Sequence, residues 1–173
     1  MSGRFGAFIL GIIAAIVLLF VGGYFFITNG GVPMETTAKP LPLEETVAGL
    51  AIRASLRGAA DRKDPLPLND DNLMAGAKSY KDNCGFCHGM PGQPAAAAAK
   101  SMFPPPPQLF EHDEMVTDDP EGIPFWIITH GIRLSGMPGF ASALTDEQRW
   151  QLAMLLTHAD KLPPAVQSAL SAH

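Results

Sequence analysis

The sequence predicts an all-α protein in which one transmembrane helix precedes a single small helical domain. Three observations carry this. Residues 5–27, FGAFILGIIAAIVLLFVGGYFFI, form one uncharged apolar run. Helix start and stop signals recur from Asn72 onward, and no alternating strand pattern of any length accompanies them. The remaining length suits one domain of ordinary size over residues 70–173.

The apolar run comes first. As a helix it spans about 35 Å at ~1.5 Å per residue, enough to cross a hydrocarbon core of about 30 Å. It exceeds the apolar stretch of about 7–15 residues in a secretory signal, and no clean A-x-A cleavage site follows. A cleaved signal peptide is the competing reading. Arg4 is the basic side chain before the run and Glu35 the first charge after it. The positive-inside rule then puts residues 1–4 in the cytoplasm and the rest of the chain outside. Ala7, Gly11 and Ala15 recur at four-residue spacing, a stripe that could seat another helix but is equally ordinary membrane composition.

Residues 28–69 read as a linker, with Pro33, Pro40, Pro42, Pro65 and Pro67 around one candidate helix from about Leu43 to Ala60. Its acids, Glu44 and Glu45, precede its bases, Arg53 and Arg57, which suits a helix dipole. Packing on the domain, lying at the headgroups and binding a partner all remain open for it.

Beyond the linker, residues 72–83 predict a helix, with Gly76 and Tyr80 four apart on one face and Cys84 at the same interval. The five alanines at 95–99 beside Pro94 predict a short turn or a loop. A further helix is expected from Glu121 to His130, closing at Gly131. Thr145-Asp146-Glu147-Gln148 fits a capping box. It opens a helix whose stripe is Trp150, Ala153, Met154 and Leu156 and which stops before Pro163 and Pro164.

Between the first two of these lies C-G-F-C-H, Cys84 to His88. The C-x-x-C-H spacing marks attachment of c-type haem. Two thiols about one helical turn apart can each add to a porphyrin vinyl group, and the adjacent histidine then lies under the iron as proximal ligand. The chain has 2 cysteines, so no thiol is left for a disulfide. A thioredoxin-like site would need a βαβ context, and a zinc site two more spaced ligands. One covalent haem c on Cys84, Cys87 and His88 is therefore expected. Thioether attachment takes place outside the bacterial cytoplasm, which agrees with the orientation drawn from charge.

With these motifs the domain resembles a class I cytochrome c over residues 70–160, and most closely the membrane-tethered monohaem cytochromes of bacterial respiratory and dehydrogenase complexes. The resemblance implies a cytochrome c-like haem domain in which Gly76 and Tyr80 pack against Trp150 and its neighbours. It maps Pro107 and Leu109 of F-P-P-P-P-Q-L-F onto the family's proline and leucine, with the Pro107 carbonyl accepting from the proximal imidazole. It also places the axial methionine in a G-M-P segment before the last helix, which here is Gly136-Met137-Pro138. There Gly136 lets backbone crowd the haem and Pro138 stiffens the loop. The other candidates are Met102, His130 and His112. Met90 lies too close to His88 to reach the opposite face, and Met74 and Met154 fall on the packing helices. Phe125 and Trp126 are expected at the haem pocket. Trp126 through its indole N–H and Arg133 through its guanidinium are candidate propionate donors.

His88 and Met137 together would fill both axial positions of the iron, which suits one-electron transfer. The expected function is an electron carrier, not an enzyme, working at the periplasmic face of the bacterial inner membrane. Its expected partner is a redox protein in a membrane oxidoreductase complex. The alternative is a haem enzyme or haem-based sensor with a labile sixth ligand. Residues 70–173 hold twelve acidic and six basic side chains, half of the acids within 111–121. An acidic rim could steer a basic partner, or simply keep the domain soluble; nucleic-acid binding finds no support.

Overall fold

The computed structural model describes residues 2–171. It divides into two compact units, one up to Pro42 and one from Leu43 onward.

The first unit is dominated by α1 (Ser2–Thr28). Its stretch Gly3–Thr28 is long and apolar enough to cross a membrane, and none of it is buried within the protein. The helix outruns the uncharged segment at both ends, since Arg4 and Thr28 are compatible with helical backbone. Its terminal carbonyls find partners locally. The Asn29 side-chain amide donates to the Phe25 carbonyl at 2.8 Å, and the Gly31 N–H donates to the Phe26 carbonyl at 2.8 Å. Residues 29–42 then run without helix or strand.

The second unit is helical: α2 (Glu44–Ser55), α3 (Asp70–Asn83), α4 (Gly85–His88), α5 (Ala97–Lys100), α6 (Gly122–His130), α7 (Asp146–Thr157) and α8 (Pro164–Ser171). Among the described residues there is no strand, only an isolated bridge between Met90 and Gln93. Residues 43–69, read from sequence as linker with a candidate helix, thus fall in the same unit as the domain they precede.

α7 is the central element. Its capping box is complete: the Gln148 N–H donates to the Thr145 hydroxyl, while the Gln148 side-chain carbonyl accepts from the Thr145 N–H. From Arg149 to Thr157 every residue is buried. A helix buried on all sides needs neighbours on all sides, and α3 and α6 both pack on it. α3 begins at Asn69, whose side chain accepts from the Asn72 N–H at 2.9 Å. Where it crosses α7 the two backbones nearly touch. A Cβ on Gly76 would stand 2.3 Å from the Gln151 carbonyl oxygen. Ala77 and Tyr80 continue that face with no exposed surface. Gly76 therefore meets Gln151 and Leu155, whereas Trp150 turns the other way and stacks on Phe125 at 3.9 Å.

α8 is the element that sequence reading missed. Pro163 and Pro164 read as a stop signal, yet Pro164 opens α8, where a helix's first N–H has no intrahelical partner to lose. Val166 and Leu170 are buried, and α8 packs on α3.

The Gly76 crossing yields the first prediction. Gly76→Ala forces α3 and α7 apart by pushing carbon onto backbone oxygen. Thermal unfolding of the holoprotein should show a loss of about 1–3 kcal/mol, the usual scale of overpacking, and a melting temperature lower by several degrees. An unchanged melting temperature would mean that the crossing is not tight.

Candidate haem site

The end of α3 delivers the haem motif. The Cys84 N–H still donates to the Tyr80 carbonyl at 2.8 Å, and the His88 N–H donates to the Cys84 carbonyl at 2.9 Å. The motif is therefore one further helical turn, α4, with Cys84 as its cap and His88 at its end. That turn is held from below. The Tyr80 hydroxyl donates to the Gly89 carbonyl at 2.9 Å, and its ring meets Phe110 edge-on at 5.0 Å. Beyond it, Met90 and Gln93 exchange backbone hydrogen bonds, and the Gln108 side-chain carbonyl accepts from the Ala95 N–H at 3.0 Å.

The same Pro-rich segment reaches the imidazole. His88 Nδ1 lies 2.8 Å from the Pro107 carbonyl oxygen. A carbonyl can only accept, so Nδ1 carries the proton and Nε2 is left as the lone-pair nitrogen. Burial pushes the His88 pKa down, and the Pro107 bond opposes this in part. The neutral ring that metal ligation requires is thus the favoured one. Burial pushes the Cys84 thiol up to about 12, with the neighbouring Cys87 adding to the rise.

Cys84, Cys87 and His88 open onto a cavity of about 360 Å³. Pro107 and Leu109 line it, as does Met137 from the segment after α6. That segment is folded back on itself. The Ile132 N–H donates to the Met137 carbonyl at 3.2 Å, and the Phe140 N–H donates to the Ile128 carbonyl at 2.9 Å. The Ser135 hydroxyl donates to the Ile132 carbonyl and accepts from the Met137 N–H at 3.1 Å. Both backbone polar groups of Met137 are therefore satisfied within the segment, and the residue borders the cavity.

The other candidates divide, with Met102 in the cavity lining and the rest outside it. Met102 also lines the cavity, its terminal methyl 1.7 Å from where a Cβ on Gly136 would be. Gly136 itself lines the cavity, so its backbone borders the space expected for the haem, and its missing side chain also leaves room for Met102. Met154 is buried in the core and Met74 packs against it. His112 is exposed beside Asp113 at 3.1 Å. His130 is exposed, with Nδ1 2.8 Å from the Trp126 carbonyl and its ring 4.5 Å from the Trp126 ring. Trp126 and Arg133 stand outside the cavity lining, as does Phe125, which packs in the core. Sequence reading also passed over Ile52, which lines the cavity from α2. Gly49, Ile52, Leu56 and Ala59 recur at helical spacing, a stripe that could have identified it.

These walls fit a covalently held haem. Beyond the haem motif the titratable side chain in the lining is Tyr80, and its hydroxyl is spent on Gly89. The rest is aliphatic, proline, thioether and aromatic surface, with Asn83 and Ser135 at its edges. Such a lining suits a flat apolar macrocycle.

The comparison with known families agrees. Residues 71–156 match the family described as cytochrome C oxidase, cbb3-type, subunit III. No curated protein matches the chain significantly.

Attachment is directly testable. Haem should stay on the native polypeptide through acid–acetone extraction and a denaturing gel. Replacing both Cys84 and Cys87 by Ala should abolish stable holoprotein, because the cavity walls then close on no tethered group. Haem that extracts freely from the native protein would refute thioether attachment.

Proposed function

With residues 71–156 established as a class I c-type cytochrome domain carrying covalently bound haem c, we propose that the chain is a membrane-anchored one-electron carrier with His88 and Met137 as axial ligands. When bound, haem iron supplies the ferric/ferrous couple. Cys84 and Cys87 fix its porphyrin edge, and His88 presents Nε2 because Nδ1 is engaged by Pro107. Met137 faces the same cavity from a loop pinned by Ser135. The single observation that supports the reading is the lining itself: the His88 imidazole and the Met137 thioether border one apolar cavity whose lining holds no carboxylate, lysine or arginine. Filled axial positions keep oxygen and peroxide off iron, and a thioether raises the potential relative to a second imidazole.

The carrier reading extends to location and partners. α1 anchors the chain in the bacterial inner membrane, and the segment 28–69 leads to the haem domain on the periplasmic side. The matched family is named for a subunit of an oxidase, which supports a redox partner within a membrane oxidoreductase complex. Pro107 and Leu109 complete the haem-binding set, with Trp126 and Arg133 as donors toward the propionates from outside the lining. An enzyme or sensor with a labile sixth ligand is the competing proposal.

Two measurements bear on this. Met137→His should keep six-coordinate haem and lower the reduction potential, since imidazole stabilises ferric iron better than a thioether does. Met137→Ala should lose the near-infrared methionine–iron band and bind carbon monoxide or azide, with covalent haem content unchanged. If Met137→Ala keeps that band, Met102 is the ligand instead. For the anchor, alkaline washing should leave the protein with the membranes, and intact mass should include residues 5–27. A mature N-terminus between about 24 and 36 would make α1 a signal peptide, since its apolar run is then removed.

A further inference from the structure

Of the residues lining the haem cavity, Ile52 alone comes from outside the matched stretch 71–156. It sits on α2, where Gly49 and Ile52, with Leu56 just past the helix end, are half-buried while Val47 and Leu50 stay exposed. No residue of α2 itself is fully buried. The fastening lies just after the helix. Ala59 is 3% exposed, and its carbonyl oxygen would be 2.0 Å from a Cβ on Gly122, so the chain lies directly on the first turn of α6. The Arg62 guanidinium stands 4.6 Å over the Phe125 ring, itself stacked on Trp150. The Asp64 N–H donates to Glu121 at 3.3 Å. Three contacts thus hold residues 59–64 to Glu121 and α6, while α2 itself reaches the cavity through Ile52.

We propose that α2 is a cover for the haem cavity, with Ile52 as its plug and residues 59–64 as its fixed end. The inference rests on haem c filling that cavity, and it stands independently of which residue is the sixth ligand. Its physical effect follows from charge. Ferric haem carries one more positive charge than ferrous haem, so water at its edge stabilises the oxidised state and lowers the potential. A seated Ile52 excludes that water and favours the reduced form. An unseated α2 does the reverse and exposes haem to small molecules.

The test uses full-length, detergent-solubilised holoprotein. Potential is measured by spectroelectrochemical titration, and access by the rate of oxidation of the ferrous protein by ferricyanide. Ile52→Ala should lower the potential and speed oxidation several-fold. Ile52→Leu should behave like the native protein. Arg62→Ala, which touches no cavity wall, should shift both readouts in the same direction by less. If Ile52→Ala fails to retain haem, Ile52→Val carries the same measurements. Native potential and native rate in the Ile52→Ala or Ile52→Val protein would overturn the cover. So would loss of the methionine band in that variant, because Ile52 would then act on the ligand loop. A melting temperature that falls in Arg62→Ala with neither readout moving would also overturn it. Absence of the methionine band already in the native protein would refute Met137 ligation and leave the two readouts on α2 interpretable.

Discussion

Everything in the haem domain is referenced to the place where α3 and α7 touch backbone to backbone at Gly76. The contact sets the rotation of α3 about its axis. Two turns later that rotation decides where Cys84 lies, because α4 continues the same hydrogen-bonded spiral. A helix turns about 100° per residue, from 3.6 residues per turn, so a small error at the crossing would swing both thiols and the imidazole away from one another's face. Tyr80 adds a second constraint. Its buried hydroxyl donates to the Gly89 carbonyl, and burial, with Cys84 nearby, raises its pKa well above the ordinary range. A phenol held neutral in this way is a permanent donor. It clamps the end of the haem turn at any pH the protein would meet.

The site also explains why a small domain can manage iron with so few polar groups. Orientation of the imidazole comes from a backbone carbonyl, and that carbonyl is fixed by a run of prolines whose backbone torsions are already restricted. The segment that carries Met137 satisfies its own amides through Ser135 and Ile132. Neither wall spends a charged residue. A low-dielectric pocket with fixed dipoles is a favourable setting for electron transfer, since little has to move when the charge on iron changes.

Much of this was legible in the chain. The haem motif, the capping box at Thr145 and the glycine–tyrosine spacing of α3 are local chemical statements, and local rules read them. What escaped was decided at long range. α8 was hidden because a proline that ends one helix can equally begin another, and only the α3 surface awaiting Val166 and Leu170 selects the second meaning. Trp126 and Arg133 carry donors of the kind propionates accept but stand outside the lining, since α6 turns Ile128 to the cavity and Trp126 toward His130, and Arg133 lies in an exposed turn after α6. Ile52 lies in a segment with weak amphipathicity, and its importance comes from contacts made by its neighbours at 59–64.

The stretch 29–42 has so far been only a gap between helices. For a chain held by α1 in a bilayer it is also a leash. Fully extended at about 3.3–3.6 Å per residue it reaches roughly 50 Å, and its prolines stiffen part of that length. A carrier confined to such a volume meets a neighbouring membrane protein at an effective concentration on the order of millimolar. Encounter then ceases to depend on how much of the protein the cell makes. Weak, fast-releasing contacts become sufficient for turnover, and tight docking would slow the shuttle by holding the spent carrier in place.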